Sequence, residues 1–164
     1  MKILSLKQLL KTVDSLKKEG KKIVLTNGGF DLIHAGHINS LKEAKEAGDI
    51  LIVALNSDKS IRDLKGKNRP IMNQQGRAVI ISSIRYVDFV IIFDEPDVKN
   101  LLKKIKPDYH AKGGDYSIET VPESEFSKSL GIKTIITGGE KIKSSSQIIK
   151  KIREIYGKDS DSKA

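Results

Sequence analysis

The sequence predicts a doubly wound α/β fold: a single domain built on a five-stranded parallel sheet, with helices on both faces. Three observations predict it. Apolar strand-like runs alternate with helix-like segments along 164 residues, about the length of one domain. The run Ile50-Leu51-Ile52-Val53-Ala54-Leu55 is apolar throughout, as a central parallel strand covered on both faces must be. The glycine-rich and polar motifs follow strand-like runs, so right-handed crossovers would gather them at one edge of the sheet.

Taken in order, Leu6–Glu19 carries Leu6, Leu9, Leu10, Val13 and Leu16 at helical spacing and predicts a leading helix. Lys22–Thr26 is the first strand, and an amphipathic helix over Ala35–Ala47 follows it. Ile50–Asn56 and Phe89–Phe93 are the second and third strands, with a helix over Asn73–Ile84 between them. Asp97–Ile105 reads as a helix, Pro107–Ala111 as a weaker fourth strand, Pro122–Leu130 as a helix and Ile132–Thr137 as the fifth strand. Ser144–Tyr156 closes the domain as a helix with Ile148, Ile149 and Ile152 turned inward. The chain then divides into a leading helix packed on the domain (1–20), the domain proper (21–156) and a polar tail (157–164).

Composition narrows the function classes. No apolar run reaches the ~20 residues that cross a bilayer, and residues 1–21 lack the pattern of a signal peptide. The chain has no cysteine, so disulfides and thiol chemistry are excluded, and a cytoplasmic location is expected. The formal charge of +9 raises nucleic acid as a partner. The excess is dispersed lysine, however, and aromatics make up only 5% of the chain, too few for a base-stacking platform. A protein that handles small anions explains the charge equally well, and no nucleic-acid or membrane partner is expected.

Asn27-Gly28-Gly29-Phe30-Asp31-Leu32-Ile33-His34-Ala35-Gly36-His37 is the segment richest in chemistry. Glycines allow close backbone approach to a phosphate and positive φ at little cost. The helix beginning near Ala35 points unpaired N–H groups and its positive dipole end into the same space. His34 and His37 share a face of its first turn. Together these describe a polyphosphate site touched by two imidazoles. A metal pair is the alternative; a three-histidine site would need His110 as well, the only other histidine. No metal ligand is assigned. Asn56, Asp58, Lys65, Arg69 and Arg77 follow the second strand, Lys112-Gly113-Gly114-Asp115-Tyr116 the fourth, and Ser144, Ser145 and Ser146 open the last helix as N-cap candidates. Asp31 reads as a residue that fixes the turn.

His-x-Gly-His after the first strand and a serine cluster opening a late helix resemble the cytidylyltransferase-like nucleotidyltransferases, over about Lys22–Ile152. Within that superfamily Asn27–His37, Asn56-Ser57-Asp58, Leu64–Pro70 and Lys112–Tyr116 most resemble the adenylyltransferases of glycero-manno-heptose 1-phosphate. Ile84-Arg85-Tyr86-Val87-Asp88 is similar to the glycerol-3-phosphate cytidylyltransferases, the nearest rival. Three positions depart from the patterns: Gly29 where the heptose group commonly has cysteine, Ile142 in place of a glycine before the serines, and Gly139 where the cytidylyltransferases carry arginine.

The resemblance implies the Rossmann-like nucleotidyltransferase fold and transfer of an adenylyl group from ATP to a sugar 1-phosphate. It implies His34, His37 and Lys65 as catalytic residues, and a nucleotide held by Gly28, Gly29, Phe30, Gly36, Gly113, Gly114, Asp115, Ser144, Ser145 and Ser146. Asn56, Asp58, Arg69 and Arg77 would meet the substrate, Mg²⁺ would ride mainly on triphosphate oxygens, and a homodimer would form. A glycerol-3-phosphate cytidylyltransferase using CTP and a nucleotide-binding regulatory module without turnover are the competing expectations.

Overall fold

In a computed structural model that describes residues 2–139 and 145–157, five parallel strands pair in the order β3-β2-β1-β4-β5. They are β1 (Ile23–Gly28), β2 (Ile50–Asn56), β3 (Phe89–Phe93), β4 (Tyr109–Gly113) and β5 (Lys133–Thr137). The order reverses beside β1, which pairs with β2 through Ile23↔Ile50 to Gly28↔Leu55 and with β4 through Val24↔Tyr109 to Thr26↔Ala111. Ligands of open α/β sheets bind outside the carboxyl ends of strands at such a reversal.

Two apolar layers cover the sheet because successive strand side chains alternate faces. Ile23, Leu25, Ile52, Ala54, Ile91 and Phe93 pack with α1 (Leu6–Lys18) and α5 (Lys99–Ile105). Val24, Leu51, Val53 and Leu55 pack with α2 (Ala35–Glu46) and α4 (Gln74–Ser83) on the other face. The leading helix starts at a capping box in which Ser5 and Gln8 satisfy each other's backbone N–H groups. It buries Leu9 and Val13, as its apolar spacing requires.

Three elements differ from the sequence reading. Residues Asp58–Lys65, assigned no element from the sequence, form a helix, α3, whose N-cap Ser57 accepts a hydrogen bond from the Ser60 N–H. Among its apolar residues Ile61 is buried while Leu64 is exposed, too little periodicity to mark a helix. The helix α6 is confined to Ser124–Ser129, shorter than the expected Pro122–Leu130, with a single 3₁₀ turn at Ile118–Thr120 before it. In the last helix, α7 (Ser145–Tyr156), Ile148 and Ile149 are half-buried but Ile152 is 48% exposed, so its apolar face is not fully turned inward. Among the described residues no helix is long and apolar enough to cross a membrane.

Candidate active site

At the carboxyl edge, β1 ends at Gly28 and the chain turns through Gly29–Ile33 into α2. Positive φ falls on Phe30 (φ 45°), not on either glycine as the sequence suggested. The glycines serve close approach: a Cβ on Gly28 would lie 3.1 Å from the Phe30 ring, and one on Gly29 3.1 Å from Ile61. Asp31 ties this turn to the next loop, accepting from the Ile71 N–H at 2.9 Å, the Met72 N–H at 3.0 Å and Arg69 Nη1 at 2.8 Å. Burial alone would raise the Asp31 pKa, but those two amides and the guanidinium hold it below the usual carboxylate range. That is the turn-fixing role its sequence position suggested.

His34 occupies the N-cap of α2 in extended backbone geometry and makes no side-chain cap, so its imidazole is free for other work. Its ring stacks on His37 with centroids 3.9 Å apart, and the Phe30 ring lies 5.2 Å from His37 in a tilted arrangement. Burial, then the neighbouring His34 and Lys65 charges, push the His37 pKa down to about 4; burial also lowers that of His34. Both rings are therefore neutral near pH 7. The Nδ1 atom of each is buried without a hydrogen-bond partner among the described residues. Orphaned buried N–H groups are rarer than under-satisfied acceptors, which favours the proton of each ring on Nε2. The pair presents two neutral N–H donors where α2 exposes its own first amides.

Other elements converge here. The Ser145 hydroxyl, at the start of α7, donates to the Leu32 carbonyl at 3.2 Å and fixes that helix against the histidine loop. A cleft of about 450 Å³ between α7 and the Arg69 loop is lined by Arg69, Ser146, Ile149, Lys150, Arg153 and Glu154. Lys65, exposed at the end of α3, is close enough for its charge to act on His37, and Asp115 acts on both histidines with the opposite sign. Gly36 sits in the first turn of α2. The loops after β4 and β5 touch: a Cβ on Gly114 would collide with the Gly139 carbonyl oxygen, so Gly114 admits no side chain. Ser144, Ile142 and Lys143 lie outside the described residues.

The expected substrate contact of Arg77 is corrected, and Asn56 and Asp58 are drawn into the same internal network. Arg77 is 0% exposed, and its guanidinium is consumed inside the protein. It donates to the carbonyls of Met72 at 3.0 Å, Gly29 at 2.6 Å and Asn56 at 2.9 Å, and to Asp58 Oδ1 at 2.7 Å. Asn56 is buried with its amide on Ser60 Oγ at 3.0 Å, and Asp58 spends a carboxylate oxygen on Arg77. The three act together as a brace under the glycine turn. The segment Ile84–Asp88 stands away from the site: Asp88 accepts the Leu51 N–H at 2.7 Å near the start of β2, the opposite edge of the sheet.

Sequence reasoning missed a buried polar cluster under the ends of β1 and β4. Lys112 and Glu123 pair at 3.2 Å with side chains 8% and 7% exposed, and both Lys112 and His110 reach Asn27. A lysine at an inward strand position is the one signal that could have found it. Burial, then the Lys112 charge, push the His110 pKa down to about 3. The unfolded chain binds protons on His37 and His110 near pH 6.5 while the folded chain does not, so this stability is complete above that pH and is lost as pH falls towards about 4. Melting temperature should fall between about pH 7 and about pH 5, where carboxylates barely titrate, and His110→Gln should flatten that slope. An unchanged slope in the variant would contradict a neutral buried His110.

The fold and this edge define a doubly wound α/β domain with a glycine-histidine turn at the point where strand order reverses. A family model described as Cytidylyltransferase-like matches residues 25–161, and the chain belongs to that family. It is 45% identical over 152 residues to the bifunctional protein HldE of Campylobacter fetus, covering 93% of this chain and 31% of that protein. It is 39% identical to that of Geobacter sulfurreducens, covering 96% of this chain and 32% of that protein. The chain thus spans about a third of the length of these curated relatives. A crystal structure of the lipopolysaccharide core biosynthesis protein from Thermoplasma volcanium is 32% identical with a TM-score of 0.63, covering 72% of this chain and 97% of that one.

Proposed function

We propose that this chain is a nucleotidyltransferase that moves an adenylyl group from ATP to a sugar 1-phosphate, glycero-manno-heptose 1-phosphate above all, giving an ADP-sugar and pyrophosphate. The observation that carries the reading is the stacked, neutral His34–His37 pair at the start of α2. A phosphate oxygen of the acceptor attacks the α-phosphorus of ATP, the bond to the bridging β-phosphate oxygen breaks, and pyrophosphate leaves with the electron pair. The acceptor oxygen is already a competent nucleophile, so positioning and charge stabilisation suffice and no covalent enzyme intermediate is required. The two Nε2–H groups donate to phosphate oxygens as charge builds, without an imidazolium that would bind the ground state equally well.

Lys65 and Arg69 hold triphosphate or acceptor charge in this scheme. Only one guanidinium nitrogen of Arg69 is bound to Asp31 among the described contacts, which leaves donors for an anion. Gly28, Gly29, Phe30 and Gly36 border the triphosphate, Gly113, Gly114 and Asp115 the base and ribose, and Ser144, Ser145 and Ser146 the phosphates at α7. Among the described residues no group of three or more His, Cys, Asp or Glu side chains could hold a metal ion. A Mg²⁺ would therefore ride on triphosphate oxygens and water and would neutralise phosphate charge there, while the cationic and imidazole donors bind phosphate oxygens directly.

The motif resemblance to heptose 1-phosphate adenylyltransferases supports the acceptor, together with the HldE and lipopolysaccharide core relatives. Against the CTP alternative stands Gly139, at positive φ (56°) with its carbonyl packed on Gly114, where the cytidylyltransferase pattern has an arginine. Ile84–Asp88, which favoured that alternative, lies at the wrong edge to choose a substrate. Measuring kcat/KM for ATP and CTP with heptose 1-phosphate and with glycerol 3-phosphate tests the proposal. The ATP and heptose 1-phosphate combination should exceed the others by at least about 10²-fold, since a site built on one base edge leaves polar groups unpaired with another. Preference for CTP and glycerol 3-phosphate would overturn the substrate assignment and leave nucleotidyl transfer standing.

A further inference from the structure

Asn27 is the last β1 residue before Gly28 and follows Ile23 and Leu25 on the α1/α5 face. Its side chain meets β4 across the point where strand order reverses. There its Oδ1 accepts from His110 Nε2 at 3.0 Å and from Lys112 Nζ at 3.2 Å. An ammonium only donates, so the amide must turn its oxygen towards Lys112, and the second lone pair fixes the proton of His110 on Nε2. His110 Nδ1 then accepts from the Ser127 hydroxyl, 3.4 Å away. Lys112 is pinned in turn by Glu123 at 3.2 Å and lies 5.4 Å above the Tyr116 ring.

This is a costly arrangement for a protein interior. A buried lysine–glutamate pair adds little net stability compared with apolar packing, because desolvation offsets the attraction. What the cluster achieves is a single orientation for one amide: with Oδ1 occupied by two donors, the Nδ2 group is turned the other way. Asn27 is half-buried, and its Nδ2 donates no hydrogen bond among the described residues. It directly precedes the Gly28-Gly29 turn, and its partners His110 and Lys112 lie in the strand that ends at Gly113, at the carboxyl edge where strand order reverses.

We propose that Asn27 is a substrate-contacting residue whose Nδ2 donates to an oxygen, phosphate or hydroxyl, of the ligand in the β1–β4 crevice, and that His110 and Lys112 are its positioning residues. The assignment rests on the adenylyl-transfer reading for the identity of that ligand. Because burial keeps His110 neutral throughout the working pH range, it offers Asn27 the same donor at every such pH. The oxygen belongs either to the nucleotide or to the sugar phosphate, and the two KM values separate these sources.

Asn27→Asp is the decisive variant. It keeps an inward oxygen for His110 and Lys112 and replaces the outward N–H pair with a second oxygen, which repels an anionic ligand. Its melting temperature should stay within a few degrees of wild type, while kcat/KM falls at least about tenfold and KM rises for one substrate only. Asn27→Ser, neutral and small, serves the same end if the carboxylate disturbs folding, and the same loss is expected. A purely structural role would leave kcat/KM within about twofold for both substrates in a folded variant, and that result overturns the proposal.

Failure of the parent reading is seen separately, in the wild type. If wild type forms no nucleotide-sugar, adenylyl transfer is wrong, and calorimetric binding of ATP and of a sugar 1-phosphate to wild type and Asn27→Asp still decides the role of Asn27. Binding at least about tenfold weaker in the variant supports it. Equal binding, or no binding of either probe to wild type, overturns it.

Discussion

His37→Ala and His34→Ala should each lower turnover by about 10²-fold or more while leaving the protein folded. Each ring contributes one neutral donor at the place where charge develops, and one such donor is worth on the order of 3 kcal/mol in the transition state. His37 should be the more damaging, because it contacts both the Phe30 and His34 rings and its removal also releases the second ring. Neither ring makes a hydrogen bond through its buried Nδ1 among the described residues, so truncation breaks no internal bond at that atom. Loss of two apolar ring contacts should cost the fold only about 1 kcal/mol. Single-turnover rates with saturating ATP and sugar phosphate, beside melting curves, measure both parts. Near-wild-type rates in both variants would remove the histidine pair from the chemistry and with it the central support for nucleotidyl transfer. The neutral state also makes a prediction about substitutes: His37→Gln keeps an N–H donor without an ionisable group and should retain more activity than His37→Ala.

Much of this site was legible because its signals are local. A strand-like run, two glycines and His-x-Gly-His within one short stretch fix a turn, a helix start and two ring positions without any long-range information. The sheet was legible for the same reason: β2 matches its apolar run residue for residue, from Ile50 to Asn56. What stayed hidden depends on partners distant along the chain. Arg77 looks in sequence like any arginine on a helix, and only its meeting with Gly29, Asn56 and Asp58 reveals a brace. Asn27, His110 and Glu123 are unremarkable until β1, β4 and the turn before α6 come together. Phe30 could not be foreseen at positive φ with two glycines beside it, since sterics alone favour the glycines. The exposed face of α7 was misread because amphipathic spacing states which residues are apolar, not whether a neighbour covers them.

Arg77→Ala should destabilise the protein by about 3–5 kcal/mol, the largest single-residue effect expected away from the core strands. Four groups lose their donor at once: the Met72, Gly29 and Asn56 carbonyls and the Asp58 carboxylate. With Arg77 at 0% exposure, the Asn56 carbonyl is left buried without this donor, and the partly exposed Asp58 carboxylate loses its guanidinium partner. The truncation also leaves a cavity the size of a guanidinium and its stem, which adds to the loss. Arg77→Lys should recover only part of it, because one ammonium cannot reproduce a planar fork that spans four acceptors. The consequence reaches the chemistry through the Gly29 carbonyl: without its donor the glycine turn loosens, and His34 and His37 lose their fixed relation to α3 and α4. Urea unfolding of wild type, Arg77→Ala and Arg77→Lys gives the ranking, and the midpoint should fall in that order. A loss below about 1 kcal/mol in Arg77→Ala would mean that these four bonds contribute no more than an exposed pair. The position would then return to the candidates for substrate contact, since a guanidinium with so little structural role would be free to swing towards an anion.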